Sequence, residues 1–153
     1  MLTTVCDLGE DTHQHHFIHM YIGLAQFALG NFAAAAAEWA DAMRGAAEVG
    51  NVRGVAGSVE GCSYIASRVG DYSAAARFMG IAQKIRERTA IPLFNFWNSY
   101  HQAAQNTLFA QLGHEGYHQC VTATNDMREE DVFNEVSVRL LRYAETLTVS
   151  PPT

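Results

Sequence analysis

Charge is scarce in this chain. Asp, Glu, Lys and Arg supply 17% of its 153 residues, against roughly 25% in an average soluble domain. A surface so poor in charge suggests that part of it is covered, by more chain, a second copy or a partner. The charges sum to −6, and this acidic balance lacks the basic field that a general nucleic-acid binder needs. Cysteine is sparse too. Cys6, Cys62 and Cys120 make an odd number with no CxxC, which argues against a disulfide framework and fits the reducing cytoplasm. Residues 1–10 show no basic stretch followed by an apolar one, so no signal peptide is read there. No run of about 18 apolar residues occurs, and no membrane span is expected. Proline appears only at Pro92, Pro151 and Pro152, which leaves one interior break and room for long helices. Sustained strand alternation is missing throughout.

What is plentiful is apolar residue, at 48%. A chain of this size typically buries roughly 70% of its unfolded surface, so one globular domain is expected over 1–150, with 151–153 as a disordered tail. Apolar residues recur at the three-or-four step of an amphipathic helix. Phe17, Met20, Tyr21, Leu24 and Ala28 form one stripe. Phe32, Ala35, Ala36, Trp39, Met43 and Ala46 form a second. Val52, Val55, Val59, Cys62, Ala66 and Val69 form a third, and Tyr72, Ala75, Ala76, Met79, Ala82 and Ile85 a fourth. Three more run through 97–112, 117–124 and 132–147. The breaks carry helix-boundary chemistry. Gly30, Gly50 and Gly70 can end helices with positive φ, and Asn31, Asn51 and Asp71 can cap the next ones. Asn95 is read as the cap of the fifth helix, and Glu129, Glu130 and Asp131 open the seventh, where the helix dipole favours negative charge. Breaks this short make antiparallel hairpins.

The punctuation repeats. Leu29-Gly30-Asn31-Phe32, Val69-Gly70-Asp71-Tyr72 and Leu112-Gly113-His114-Glu115-Gly116-Tyr117 lie about 40 residues apart, each separating two helices. In the first two, small residues follow the aromatic by one turn and let paired helices approach closely. A hairpin that cannot bury its face alone must stack on its neighbours. Ile22-Gly23 with Phe32, Ala35, Trp39 and Ala42 resembles the spaced signature of a tetratricopeptide repeat, although the repeat is longer than 34 residues. That length, and the stretch from Gly61 onward, through Val69 to Ala82, Ile85-Arg86-Glu87-Arg88, Ile91-Pro92-Leu93, Leu112 to Tyr117 and the last helix from Glu129 to Leu141, is similar to the helical sensor region of LuxR/MalT-type bacterial ATPase regulators. The resemblance covers roughly 24–143. It implies a right-handed array of helical hairpins in a regulatory protein. No P-loop is found, and the sequence stops after the array, which reads as an excised or shortened array or a stand-alone relative, so neither ATP hydrolysis nor DNA binding is carried over from the resemblance.

Two constellations could carry chemistry. His13, His15, His16 and His19 cluster on the first helix, with His15 and His19, and His16 and His19, sharing faces. Zinc or nickel uses such pairs, but there is no HExxH and no obvious distant acidic partner. A solvated helix end is the plainer reading of His15, His16 and His19, and no metal or other cofactor is expected. His114 and His118 repeat the spacing near Glu115. The second constellation is the aromatic block of Phe94, Phe96, Trp97, Asn98, Tyr100 and His101. Trp97 and Tyr100 read as core between repeats; Phe96 and Asn98 lie off that stripe. Aromatics with amides on a concave helical face suit a peptide or a small polar ligand. Arg77, Lys84, Arg86 and Arg88 read as charge complementing a helix C-terminus, and Cys62 as inert core. The chain is thus expected to be all-α, with about seven helices in a tetratricopeptide-like array. The expected function is a non-enzymatic, cytoplasmic binding module for a protein partner or peptide segment, itself a homo-oligomer. A small-molecule effector site in a transcriptional regulator is the alternative, and a metal-dependent enzyme the third reading. Direct contact with nucleic acid or membrane is not expected.

Overall fold

The computed structural model describes the backbone of residues 3–147 and the side chains of residues 15–147. The tail at 151–153 and the side chains of Cys6 and His13 lie outside these described residues. Among them the regular structure is helical and no strand occurs. Six α-helices follow one another: α1 (Thr3–Ala28), α2 (Phe32–Glu48), α3 (Val52–Val69), α4 (Tyr72–Thr89), α5 (Asn98–Thr122) and α6 (Glu129–Thr146), with a 3₁₀ turn at Asn95–Trp97. The sixth expected helix, at 117–124, is the second part of α5, and the seventh is α6. Gly113 sits there at φ 72 and ψ 167, outside the helical region, and kinks the element where two helices were read. Gly30, Gly50 and Gly70 lie at the helix-to-helix turns with φ of 81, 69 and 91, a backbone that side-chain-bearing residues adopt only at a cost. Of the three expected caps, Asn51 acts as one: its Oδ1 accepts from the Gly54 N–H at 3.0 Å. Asn31 and Asp71 make no side-chain cap bond. The Asn31 amide turns back and donates to Gln26 Oε1 instead. Asn95 opens the 3₁₀ turn and does not cap α5, which begins at Asn98.

By internal contacts the chain divides into two compact units, Met1–Ser58 with Leu140–Thr153, and Val59–Arg139. In the first unit α1 and α2 form a hairpin. Phe27 meets Phe32 beside the turn, and farther from it the Trp39 indole donates to the Met20 carbonyl at 3.2 Å. The pairs recede from the turn in opposite chain directions, so the helices are antiparallel. Trp39 is fully buried against Gly23. A Cβ at position 23 would lie 2.4 Å from the indole nitrogen, so the hairpin closes only because Gly23 has none. The buried face of α1 is His16, Met20, Gly23 and Phe27, whereas Tyr21 and Ala28 of the expected stripe are exposed.

In the second unit α4 packs on α5. Gly80 faces Val121, the Tyr117 hydroxyl reaches Met79 Sδ at 3.4 Å, and Lys84 donates to the Val121 carbonyl and to Thr124 Oγ1. Met79 is buried one helix after Gly70, as Trp39 is one helix after Gly30. Contacts between residues about one repeat apart are the mark of stacked hairpins. Met79 and Tyr117 stand 38 residues apart, and so do Met20 and Ser58, which touch within the first unit. The two ends of α6 also behave as read. Glu129, Glu130 and Asp131 open it, and Val132, Val136, Leu140 and Tyr143 are buried.

Candidate binding site

The aromatic block begins where α4 ends. Ala90 closes that helix in the left-handed conformation at φ 56, the one described non-glycine residue with positive φ. Pro92 then keeps Ile91 out of helical backbone. The chain re-enters a helix through the 3₁₀ turn, where the Trp97 N–H donates to the Phe94 carbonyl at 3.0 Å. This turn splits the block in two. Trp97 goes inside, with its ring 5.0 Å from that of Tyr64 on α3. Tyr100 and His101, both half-buried, lie on the same Tyr64 ring at 6.5 Å. Phe96 stays outside and Phe94 is half-buried. Their rings stack at 5.2 Å and 9°, Phe96 is 38% exposed, and the exposed Asn98 follows.

Beneath the inner half lies a charged group that the sequence reading missed. Glu60 of α3 has a side chain only 2% exposed. One oxygen accepts from Arg86 Nη1 of α4, and the other stands 3.5 Å from His101 Nδ1 of α5. A buried carboxylate must be paired to persist. Arg86 is therefore a specific partner and no mere complement to a helix end. Burial first, then the Glu60 carboxylate, pushes the Tyr64 hydroxyl above its ordinary range. Burial also raises Tyr117. Glu60, Arg86, His101 and Tyr64 thus lock α3, α4 and the start of α5 beneath the aromatic block. The signal in the sequence was the isolation of Glu60, the sole charged residue from Gly54 to Ser67.

The remaining basic residues of α4 form no common patch. Arg77 donates to Glu135, Lys84 holds the end of α5, and Arg88 lies 3.5 Å from Glu129. Lys84, Arg88, Ile81, Ile85, Thr124 and Val132 help to line an open cleft of about 420 Å³. Burial lowers the pKa of Lys84. Cys62 is buried without a disulfide, and burial pushes its thiol up, which makes it a poor nucleophile.

The histidine cluster is not the solvated helix end that was expected. His16 is buried, with Phe17 beside its ring and Gly54 against it. His19 donates from Nδ1 to Glu38 Oε2 at 2.5 Å, so a distant acidic partner does exist, on α2. His15 stays exposed, edge-on to His19. The three do not converge: among the described residues no three His, Cys, Asp or Glu side chains gather around a common metal position. His114 stacks on Phe109 and His118 packs edge-on to Tyr117. Among the described residues no helix is long and apolar enough to cross a membrane. Comparison with family models, curated proteins and solved structures finds no match.

Proposed function

We propose that this chain is a non-enzymatic, tetratricopeptide-like binding module that takes a protein or peptide segment on the Phe94–Phe96 platform. The observation that carries the reading is the stacked ring pair, an exposed Phe96 on a half-buried Phe94, on a turn pinned by buried Trp97. Two rings already ordered lose little conformational freedom when a partner side chain lands on them. Rigid aromatics are also the usual anchors of an interface. Asn98 supplies an amide for the backbone of the bound segment. On this reading the protein is a cytoplasmic regulatory component, related to the LuxR/MalT-type sensors. The free thiols of Cys62 and Cys120 support that compartment. The small-molecule sensor reading draws support from the cleft beside Lys84, whose volume falls in the range of ligand sites. Its open form and its lack of aromatic lining favour the binding module.

Selection from a random peptide library on the purified protein tests the proposal. We expect enrichment of peptides with an aromatic or proline residue, whose binding Phe96→Ala abolishes while stability stays within about 0.5 kcal/mol of the parent. Peptides that bind Phe96→Ala and Phe94→Ala as well as the parent would place the site elsewhere.

A further inference from the structure

The outer face of α1 takes no part in that site. It presents Ile18, Ile22, Ala25 and Leu29, all exposed, at 52%, 40% and 74% for the three large ones. Their steps of four, three and four residues are those of a seam between two helices lying side by side. An extended peptide has no use for that spacing. The positions flanking the seam, His19, Tyr21, Gln26 and Ala28, carry no Asp, Glu, Lys or Arg, and none occurs anywhere from Thr12 to Ala37. Glu38 stands at the edge of the face but is already held by His19, so a partner selected by charge would find little to pair with here. The occupant must bring an uncharged apolar helix of the same step, and α1 of a second copy is such a helix.

The face is also complementary to itself. A two-fold axis passing between positions 23 and 24 sets Ile22 against Ala25, large upon small, and Ile18 against Leu29. With −6 on each copy, the uncharged stretch is where two chains meet with least repulsion. We infer that α1 is a homodimer seam, an antiparallel pairing of Ile18, Ile22, Ala25 and Leu29 across two copies of this chain. So short a seam falls below the ~800 Å² per partner of a standard interface, so the dimer forms in the high micromolar range.

Sedimentation velocity on the full chain tests this, from low to high micromolar concentration and in low and high salt. A reversible dimer is expected, held or strengthened by salt, because salt screens the repulsion and there is no attraction to lose. Ile22→Lys should weaken it by at least about tenfold, while Val138→Lys, at an exposed apolar position of α6, should leave it unchanged. Should Ile22→Lys fail to fold by circular dichroism, Leu29→Glu at the most exposed seam position takes its place. A chain that stays monomeric throughout overturns the seam. So does a dimer that both variants leave intact, or one that salt dissolves.

Discussion

The α1–α2 hairpin and the packing of α3, α4 and α5 around Glu60 answer the same forty-residue repeat by opposite means. In the hairpin, approach is everything. Gly23 yields its Cβ volume to Trp39, Ala35 and Ala36 are fully buried, and the described ion pair that joins the two helices is His19 with Glu38 at the half-buried edge. Around Glu60, charge is the fastener, with a carboxylate held inside by Arg86 and faced by His101. Apolar contact is tolerant of direction, whereas a buried ion pair is costly unless every partner arrives. The hairpin therefore needs only shape, and the second arrangement specifies which three helices meet.

Mutation should separate the two. Trp39→Ala is expected to have the largest effect, a loss of about 3–5 kcal/mol by urea denaturation, because it empties the hairpin and no second change restores it. Arg86→Met should cost about 3 kcal/mol by leaving Glu60 buried without its cation. The double variant Glu60→Leu with Arg86→Met should return to within about 1 kcal/mol of the parent. A double variant no better than the single one would show that the network is valued for more than charge balance. High pH should act on the second arrangement first. Tyr21 is the one tyrosine of the hairpin and is exposed, while burial raises Tyr64 and Tyr117. An unfolded tyrosine titrates near pH 10, and the folded ones keep their protons above that. Their contribution is therefore complete below about pH 10 and is lost as pH rises further. Tyr64→Phe should move the alkaline unfolding midpoint, followed by circular dichroism, to higher pH. The smallest effect is expected at Ala90. Ala90→Gly should gain about 0.5 kcal/mol in thermal denaturation by relieving its left-handed backbone.

Sequence pattern located α2, α4 and α6 by face, because polar and charged residues mark their outer sides. On α1 it chose a face rotated from the true one, since apolar residues surround that helix and no Asp, Glu, Lys or Arg marks its outside from Thr12 to Ala28. On α3 it found a stripe where every residue from Ala56 to Ser67 is buried. Serines hid this: Ser58 bonds the Gly54 carbonyl and Ser63 the Glu60 carbonyl, so polar side chains sit inside at little cost. In the aromatic block the stripe separated Trp97, inside, from Phe96 and Asn98, outside. The Glu60 network stayed hidden because Glu60, Arg86 and His101 come from three helices, and pairing across helices leaves no local period.

The distances along the chain that these contacts span bear on how the protein folds. Ties such as Met20 to Ser58 and Met79 to Tyr117 close loops of 38 residues, while Arg77 must wait for Glu135, 58 residues on. The entropy of closing a loop grows with its length, and chains rich in short-range contacts reach the native state faster. Neighbouring hairpins can thus find one another as soon as both exist, during synthesis as well as in refolding, and α6 docks on α4 as the closing event. The glycine turns at 30 and 70 are then more than connectors: they set how much chain each search must cover.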